Sequence, residues 1–266
     1  MKILETRYGR ICLDEIEDIK FITTIEQGYY PNDDILEVFG TFLDKNSVVA
    51  DVGANVGIVA IPLARVAKEV HCFEPIPRNL ELLRRNVELN SLTNVFIHPY
   101  ALGDKQEILS FFEEDKGNAG TYRWGSKGTV PVEVRTLDSF NLHINAMKID
   151  VQGMESKVLG GVQKTIKTCA PIVLFELSGR NLEIKGAFAS IRRVLSSYNL
   201  FIPGETYGKV ISLWLTMLLK LPGVVLLGRK GYHFDILAIP KSRTIPHHNP
   251  LSTLLILLWQ LFTHKR

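Results

Sequence analysis

The residues with the clearest capacity for chemistry lie between positions 51 and 74, where two acids flank a glycine turn. They are Asp51, Gly53, Asn55, Gly57 and Glu74. Each acid follows a short apolar run, and a helical pattern separates the two runs, as in a βαβ unit. Glycines let the backbone approach a ligand closely, and an acid at the end of the second strand accepts ribose hydroxyls. The pattern therefore predicts a binding site for an adenosine-containing cofactor.

The residues of the turn distinguish between two adenosine-containing cofactors, a dinucleotide and S-adenosylmethionine. A dinucleotide fingerprint needs a second glycine close to the pyrophosphate, and here Asn55 stands at that position. Asp51 ahead of the turn would repel a pyrophosphate and attract a cation. S-adenosylmethionine carries an ammonium and a sulfonium group and no phosphate, so the turn favours it over NAD. A glycine turn that binds nothing is the alternative, and Asp51 and Glu74 weigh against it.

A second group of charged residues lies between positions 148 and 176. Asp150 and Glu176 end two predicted strands, so both reach the sheet edge at which α/β proteins bind ligands. Methyl transfer from the predicted cofactor requires alignment and, where the acceptor loses a proton, a base, for which Asp150 is the first candidate and Glu176 the second. Lys148 would steady the developing charge. Glu155 fits a helix cap and a catalytic role equally well, and these acids could instead gather a divalent metal. The spacing does not decide between a metal and none.

Six segments of the chain resemble the FkbM-type methyltransferases, which have the class I S-adenosylmethionine-dependent fold. The segments are ADVGANVG (50–57), CFEP (72–75), ALGD (101–104), RTLDSF (135–140), MKIDVQGME (147–155) and LFEL (174–177). Gln152 stands where family members often carry glutamate. The resemblance implies an O-methyltransferase that acts on a hydroxyl of a sugar or glycoconjugate. An NAD-dependent oxidoreductase and a catalytically inactive scaffold at a membrane are the alternatives.

The same resemblance adds three candidates outside the two charged groups. In the implied fold the turn after the third strand lies against the adenine, so Leu102 is a candidate ring contact. Asp104 is a candidate partner for a polar edge of the cofactor, or a simple turn residue. Asn118, in a polar glycine-rich loop, is a candidate substrate contact.

The order of apolar runs predicts an α/β fold with a single Rossmann-like, doubly wound sheet, mostly parallel with an antiparallel closing strand. Alternation over residues 1–28 predicts an N-terminal hairpin, with a helix after it and apolar helices at the C-terminus. The predicted domains are 1–45 (hairpin and helix), 46–240 (methyltransferase domain with an apolar insertion at 204–231) and 241–266 (tail helix). The predicted elements are helices at 58–68, 78–90 and 186–200, strands at 95–101, 146–149, 171–175 and 234–239, and an antiparallel pair at 106–112 and 129–136.

Two apolar segments near the C-terminus indicate which partners the protein could contact. The segment 210–228 approaches membrane-spanning length but is interrupted by Lys220 and by Pro222-Gly223. We expect 210–228 to be an interfacial, lid or oligomer surface, and 251–266 to lie on an anionic membrane. Packing of both segments on the protein itself is the alternative. A small-molecule or glycolipid acceptor and a homo-oligomer are therefore expected.

Composition sets the remaining expectations. A net charge of +3, without long basic runs interleaved with aromatics, does not indicate nucleic acid as a partner. Cys12, Cys72 and Cys169 are widely spaced, as is typical of buried free thiols in a reducing compartment. The first ten residues show no secretory signal. The predicted location is cytoplasmic, peripheral to the inner face of the membrane.

Overall fold

The computed structural model describes residues 1–113, 122–124, 128–178, 187–201 and 233–243. The strands are β1 (Lys2–Thr6), β2 (Gly9–Leu13), β3 (Val48–Val52), β4 (Glu69–Phe73), β5 (Val95–His98), β6 (Ala101–Leu102), β7 (Glu107–Glu113), β8 (Tyr122–Trp124), β9 (Val130–Arg135), β10 (Ala146–Ile149), β11 (Ile172–Ser178), β12 (Tyr198–Phe201) and β13 (His233–Pro240). The helices are α1 (Ile19–Glu26), α2 (Asp33–Gly40), α3 (Ala60–Val66), α4 (Pro77–Leu89), α5 (Glu155–Gly160), α6 (Gln163–Cys169) and α7 (Ala187–Val194), with a 3-10 turn at Leu137–Phe140.

A seven-stranded sheet with the order β12-β13-β11-β10-β3-β4-β5 forms the centre of the protein. Strand β13 runs antiparallel to β11 and β12, whereas β11, β10, β3, β4 and β5 pair in parallel. The central strands are almost wholly apolar and buried because both faces of the sheet are covered. The predicted α/β class, doubly wound sheet and antiparallel closing strand are confirmed.

The two faces of the sheet have separate cores. On one face α3 and α4 pack together with the N-terminal hairpin, whose residues Ile11, Cys12 and Leu13 are almost fully buried. On the other face α5, α6 and α7 contribute buried residues, among them Val158 and Ile191. The N-terminal segment is thus part of the main core.

The structure corrects the boundaries of three predicted elements. The hairpin covers residues 2–13 only, and α1 replaces the remaining strand pattern because Ile19, Ile22 and Ile25 recur at a helical spacing of three. The predicted strand 95–101 is two strands, of which β5 joins the central sheet and β6 a smaller one. The predicted helix 186–200 ends at Val194, and its last residues form β12, which pairs with β13.

The smaller sheet has the order β6-β9-β7-β8. Its antiparallel pair of β7 and β9 confirms the predicted pairing of 106–112 with 129–136. Across the described ranges, no helix combines the length and the apolar character needed to cross a membrane. The segments 210–228 and 251–266 and the loop carrying Asn118 lie outside the described residues.

Candidate active site

The glycine turn follows β3 and contacts the carboxyl ends of its two neighbours, β4 and β10. Gly53 has a φ of 82°, and a Cβ atom built on it would lie 1.9 Å from the Asp150 carbonyl oxygen. Its N–H and that of Ala54 donate to the Phe73 carbonyl oxygen at 2.9 and 3.2 Å. Only glycine fits at this position, because a side chain would collide with the backbone of the neighbouring strand.

Asp51 lies beneath this turn and is completely buried. Neither of its carboxylate oxygens has a hydrogen-bond partner among the described residues, and the Lys148 Nζ atom is 4.0 Å from its Oδ1 atom. Burial raises the pKa of Asp51 to about 6, against the pull of the Lys148 charge. A buried acid with unsatisfied oxygens next to a turn that only glycine fits is suited to a cationic or hydrogen-bond-donating ligand.

Glu74 ends β4 and is held by hydrogen bonds. Its Oε1 atom accepts from the Ile76 backbone N–H at 2.9 Å and from Asn79 Nδ2 at 3.3 Å, and its Oε2 atom accepts from the Asn55 N–H at 2.8 Å. A carboxylate offers about four acceptor positions, so within the described part of the chain one remains, on Oε2. Burial raises the pKa of Glu74 to about 7. Glu74 can therefore accept one strong bond from a ribose hydroxyl, and a second would displace the longer Asn79 bond.

Asn55 contributes to the same pocket through its backbone and its side chain. It has a φ of 50°, which asparagine tolerates better than most residues, and its buried Oδ1 atom has no partner among the described residues. Gly57 follows with a φ of 96°, and a Cβ there would come within 2.9 Å of Leu83. The turn thus offers an acceptor oxygen, whereas the N–H groups of residues 53, 54, 55 and 57 are bonded within the protein.

Lys148 links the two groups of predicted site residues. Its Nζ atom lies 3.2 Å from Asp150 Oδ2, in addition to its contact with Asp51, and Gln152 Nε2 donates to Asp150 Oδ1 at 3.0 Å. Burial lowers the pKa of Lys148, but the carboxylates of Asp150 and Asp51 outweigh it and raise the pKa above its ordinary value. The lysine stays charged, and both oxygens of Asp150 are engaged.

Glu155 caps the loop that precedes α5. Its Oε1 atom accepts from the backbone N–H groups of Val151 and Gly153 at 3.2 and 3.1 Å, across a turn in which Gln152 has a φ of 52°. Burial raises the pKa of Glu155. These contacts are those of a cap, while the buried Oε2 atom has no hydrogen-bond partner among the described residues, so the catalytic role of Glu155 stays a prediction.

Glu176 lies one position beyond the paired residues Ile149 and Phe175, directly beside Asp150. Burial, followed by the charges of Asp150, Glu155 and Asp235, raises the pKa of Glu176 to about 8. Asp235 faces Glu176 across the β11–β13 pairing and was missed from the sequence. An acid within the apolar strand β13 was the signal that could have identified it.

The last two predicted contacts are Leu102, in the short strand β6, and Asp104, two positions further along the chain. Leu102 is buried in the core beside Phe73, one residue before Glu74. Asp104 is exposed, and its Cβ would lie 2.9 Å from one built on Gly160, at the end of α5 opposite Glu155. Their roles toward adenine stay predictions. Among the residues described, no group of three or more His, Cys, Asp and Glu side chains could hold a metal ion.

The fold and the turn together define a nucleoside-binding α/β domain whose buried acid favours a cationic cofactor over a dinucleotide. The Methyltransferase FkbM domain matches residues 51–201, more than half of the chain, and the chain belongs to this family. The predicted family, the methyltransferase class and S-adenosylmethionine as cofactor are confirmed by this membership.

Three relatives match over long stretches. "Methyltransferase 1" of Beauveria bassiana is 27% identical over 60% of this chain and 74% of its own length. Hexuronic acid methyltransferase AglP of Haloferax volcanii is 22% identical over 60% of this chain and 66% of its own length. The 2-O-methyltransferase NoeI of Sinorhizobium fredii is 26% identical over 47% of this chain and 62% of its own length.

Proposed function

We propose that this chain is an O-methyltransferase that transfers a methyl group from S-adenosylmethionine to a hydroxyl of a sugar or glycoconjugate. The observation that carries the proposal is the position of Glu176, a half-buried acid beside Asp150 at the edge of the sheet. The names of two relatives, a hexuronic acid methyltransferase and a 2-O-methyltransferase, support a sugar as the acceptor.

The residues around the glycine turn fit the cofactor. The unsatisfied oxygens of Asp51 would accept from the ammonium end, the Oδ1 atom of Asn55 offers a further acceptor, and Glu74 would take the ribose. When bound, S-adenosylmethionine supplies an electrophilic methyl group on a sulfonium. The protein contributes alignment and a base, which together account for most of what such a reaction needs.

We place Glu176 before Asp150 as the base, because burial and the neighbouring acids raise its pKa into the near-neutral range. Both oxygens of Asp150 are engaged by Lys148 and Gln152, which hold it in place as a negative charge. A pKa of about 8 makes Glu176 a proton acceptor matched to near-neutral pH. In the proposed mechanism Glu176 takes the proton of the acceptor hydroxyl. Lys148 and Asp150 form a fixed ion pair beside it.

The first test is calorimetric titration of the purified chain with S-adenosylhomocysteine, with NAD as the parallel ligand. Micromolar binding of the nucleoside and none of NAD is expected, because Asp51 repels a pyrophosphate. A radiolabelled methyl-transfer screen over uronic acid glycosides, neutral glycosides and lipid-linked glycans follows. Binding of neither ligand would favour the inactive scaffold, and binding of NAD alone would favour the oxidoreductase.

A pH profile with the best acceptor distinguishes the two bases. The wild-type rate should rise with pH through about 8, as Glu176 ionises. Glu176→Gln should lose that rise together with about 100- to 10,000-fold in rate. Asp150→Asn should lose rate and keep a rise, but at lower pH, because the Asp150 charge is one of the causes that raise the pKa of Glu176. A Glu176→Gln variant with the wild-type profile would remove Glu176 from this role.

A lipid-linked acceptor, peripheral membrane contact through 210–228 and 251–266, a homo-oligomer and a cytoplasmic location remain predictions. Sedimentation of the full chain with anionic vesicles, and its mass by light scattering, test the membrane and oligomer predictions directly.

A further inference from the structure

A buried ion pair connects the N-terminal segment to the first turn of α4. The Asp18 side chain, in the turn before α1, is completely buried, and Arg78 binds it in a fork. The Nη1 and Nη2 atoms of Arg78 lie 3.1 and 2.7 Å from its Oδ1 and Oδ2 atoms, and the Asp14 N–H also donates to Oδ2. Such two-pronged pairing fixes the direction of the guanidinium as well as its position.

The contacts continue from this pair to Glu74. The Nη1 atom of Arg78 also donates to Asn79 Oδ1 at 3.1 Å, and Asn79 Nδ2 donates to Glu74 Oε1 at 3.3 Å. Asn79 is 2% exposed. Asp18, Arg78, Asn79 and Glu74 therefore form one continuous series of hydrogen bonds.

Arg78 decides which way the amide of Asn79 points. A guanidinium has donors only, so the side of the amide that faces it must be the oxygen. The amide nitrogen is then directed at Glu74, where it occupies Oε1 together with the Ile76 N–H. The open acceptor position is left on Oε2, the oxygen that the glycine turn reaches through Asn55.

We propose that Asp18, Arg78 and Asn79 are positioning residues for ribose recognition, which makes the N-terminal segment part of the cofactor site. Asp18 holds Arg78, Arg78 orients Asn79, and Asn79 sets which oxygen of Glu74 faces the ribose. The inference rests on the proposed function, in which Glu74 accepts a ribose hydroxyl.

The test compares the affinities for S-adenosylhomocysteine and for its 2′-deoxy and 3′-deoxy analogues. In the wild type, one of the two deoxy ligands should bind about 10- to 100-fold more weakly, the effect of one hydrogen bond to a charged acceptor. Asp18→Asn and Asn79→Ala should reduce this ratio about three- to tenfold. A merely structural role would weaken all three ligands equally and leave the ratio unchanged.

Asp33→Asn is the matched control. Asp33 also pairs with an arginine, Arg7 of the hairpin, and accepts from the Tyr8 hydroxyl, but no hydrogen bond among the described residues connects it to Glu74. It should keep the wild-type ratio. Should Asp18→Asn fail to fold, Asn79→Ala decides, because it leaves the ion pair intact.

The outcomes separate this inference from the proposed function. An unchanged ratio in Asn79→Ala and in a folded Asp18→Asn overturns the positioning role and leaves the cofactor assignment standing. Tight S-adenosylhomocysteine binding by the wild type with no preference against either deoxy ligand overturns it as well. Absence of S-adenosylhomocysteine binding by the wild type overturns both.

Discussion

Replacing Asp51 by asparagine should stabilise the ligand-free protein at neutral pH and weaken its cofactor binding at the same time. Asp51 is wholly buried with both oxygens unsatisfied among the described residues, so the folded chain bears a cost for its charge. Asparagine has nearly the same shape and no charge. The substitution therefore removes the energetic cost of the buried charge and, at the same time, the carboxylate that would bind the cofactor.

The size of the effect follows from the pKa. Burial raises the pKa of Asp51 from 3.8 to about 6, and at about 1.4 kcal/mol per pKa unit the difference corresponds to about 3 kcal/mol. Because the folded state holds the proton more tightly, the wild-type free energy of unfolding falls as pH rises from about 4 to about 6. The variant lacks this fall. Its stability relative to wild type should therefore grow by about 2 to 3 kcal/mol between pH 4 and pH 7.

Urea unfolding of both proteins at pH 4, 5, 6 and 7 measures how the difference in unfolding free energy between Asp51→Asn and wild type increases with pH. The fixed cost of packing an amide in place of a carboxylate cancels, because the amide does not titrate in this range. Glu81→Gln, an exposed acid on α4, is the control and should show no growth. Calorimetry at pH 7 should show S-adenosylhomocysteine binding to Asp51→Asn about 10- to 100-fold more weakly, the loss of a bond to a charged acceptor.

Two results would refute this reasoning. A stability difference that stays flat from pH 4 to pH 7 would mean that the charge of Asp51 is not costly in the fold. Wild-type affinity for S-adenosylhomocysteine in the variant would mean that Asp51 does not contact the cofactor. The two results are independent, because the stability difference concerns the free protein and the affinity concerns its complex with the cofactor.

Two further substitutions test the turn and the lysine. Gly53→Ala should lose about 3 kcal/mol or more and most cofactor affinity, because its Cβ would meet the Asp150 backbone at 1.9 Å. Gly28→Ala, with a similar φ and open space around it, should lose only about 1 to 2 kcal/mol in the same urea assay, and equal losses would contradict the steric argument. Lys148→Met should lose about 3 to 5 kcal/mol at pH 7, because Asp51 and Asp150 lose their cation. The loss should shrink toward pH 4 as Asp51, with a pKa of about 6, becomes protonated, and a loss independent of pH would point to packing alone.

Sequence reasoning located the glycine turn because its signals are local. Gly53 and Gly57 do have positive φ angles, and Asp51 and Glu74 do end β3 and β4 or lie next to their ends. The strand at 146–149 and the closing strand were placed within one residue, since uninterrupted apolar runs are typical of strands buried on both faces. The choice between Asp150 and Glu176 as the base stays a prediction. It depends on contacts and burial that no local pattern in the sequence shows.

Apart from α1, whose helical spacing is a local signal, the main errors fell where a distant partner decides the structure of a segment. Strand β12 forms because β13, more than thirty positions later, pairs with it, and the sequence around Tyr198 resembles the end of a helix. Asp235 becomes a neighbour of Glu176 through the same strand. Asp18 and Arg78 are 60 positions apart, and no local pattern indicates that they meet.

The amino-acid sequence by itself determined the α/β class, the glycine turn and the acids that end its strands, because apolar periodicity and glycine placement act over a few residues. Only the tertiary structure decided which acids share a pocket, which oxygens are already occupied and which charges are costly. Those properties depend on burial and on partners from distant parts of the chain, and they set the pKa values of Asp51, Glu74 and Glu176 on which the chemistry rests.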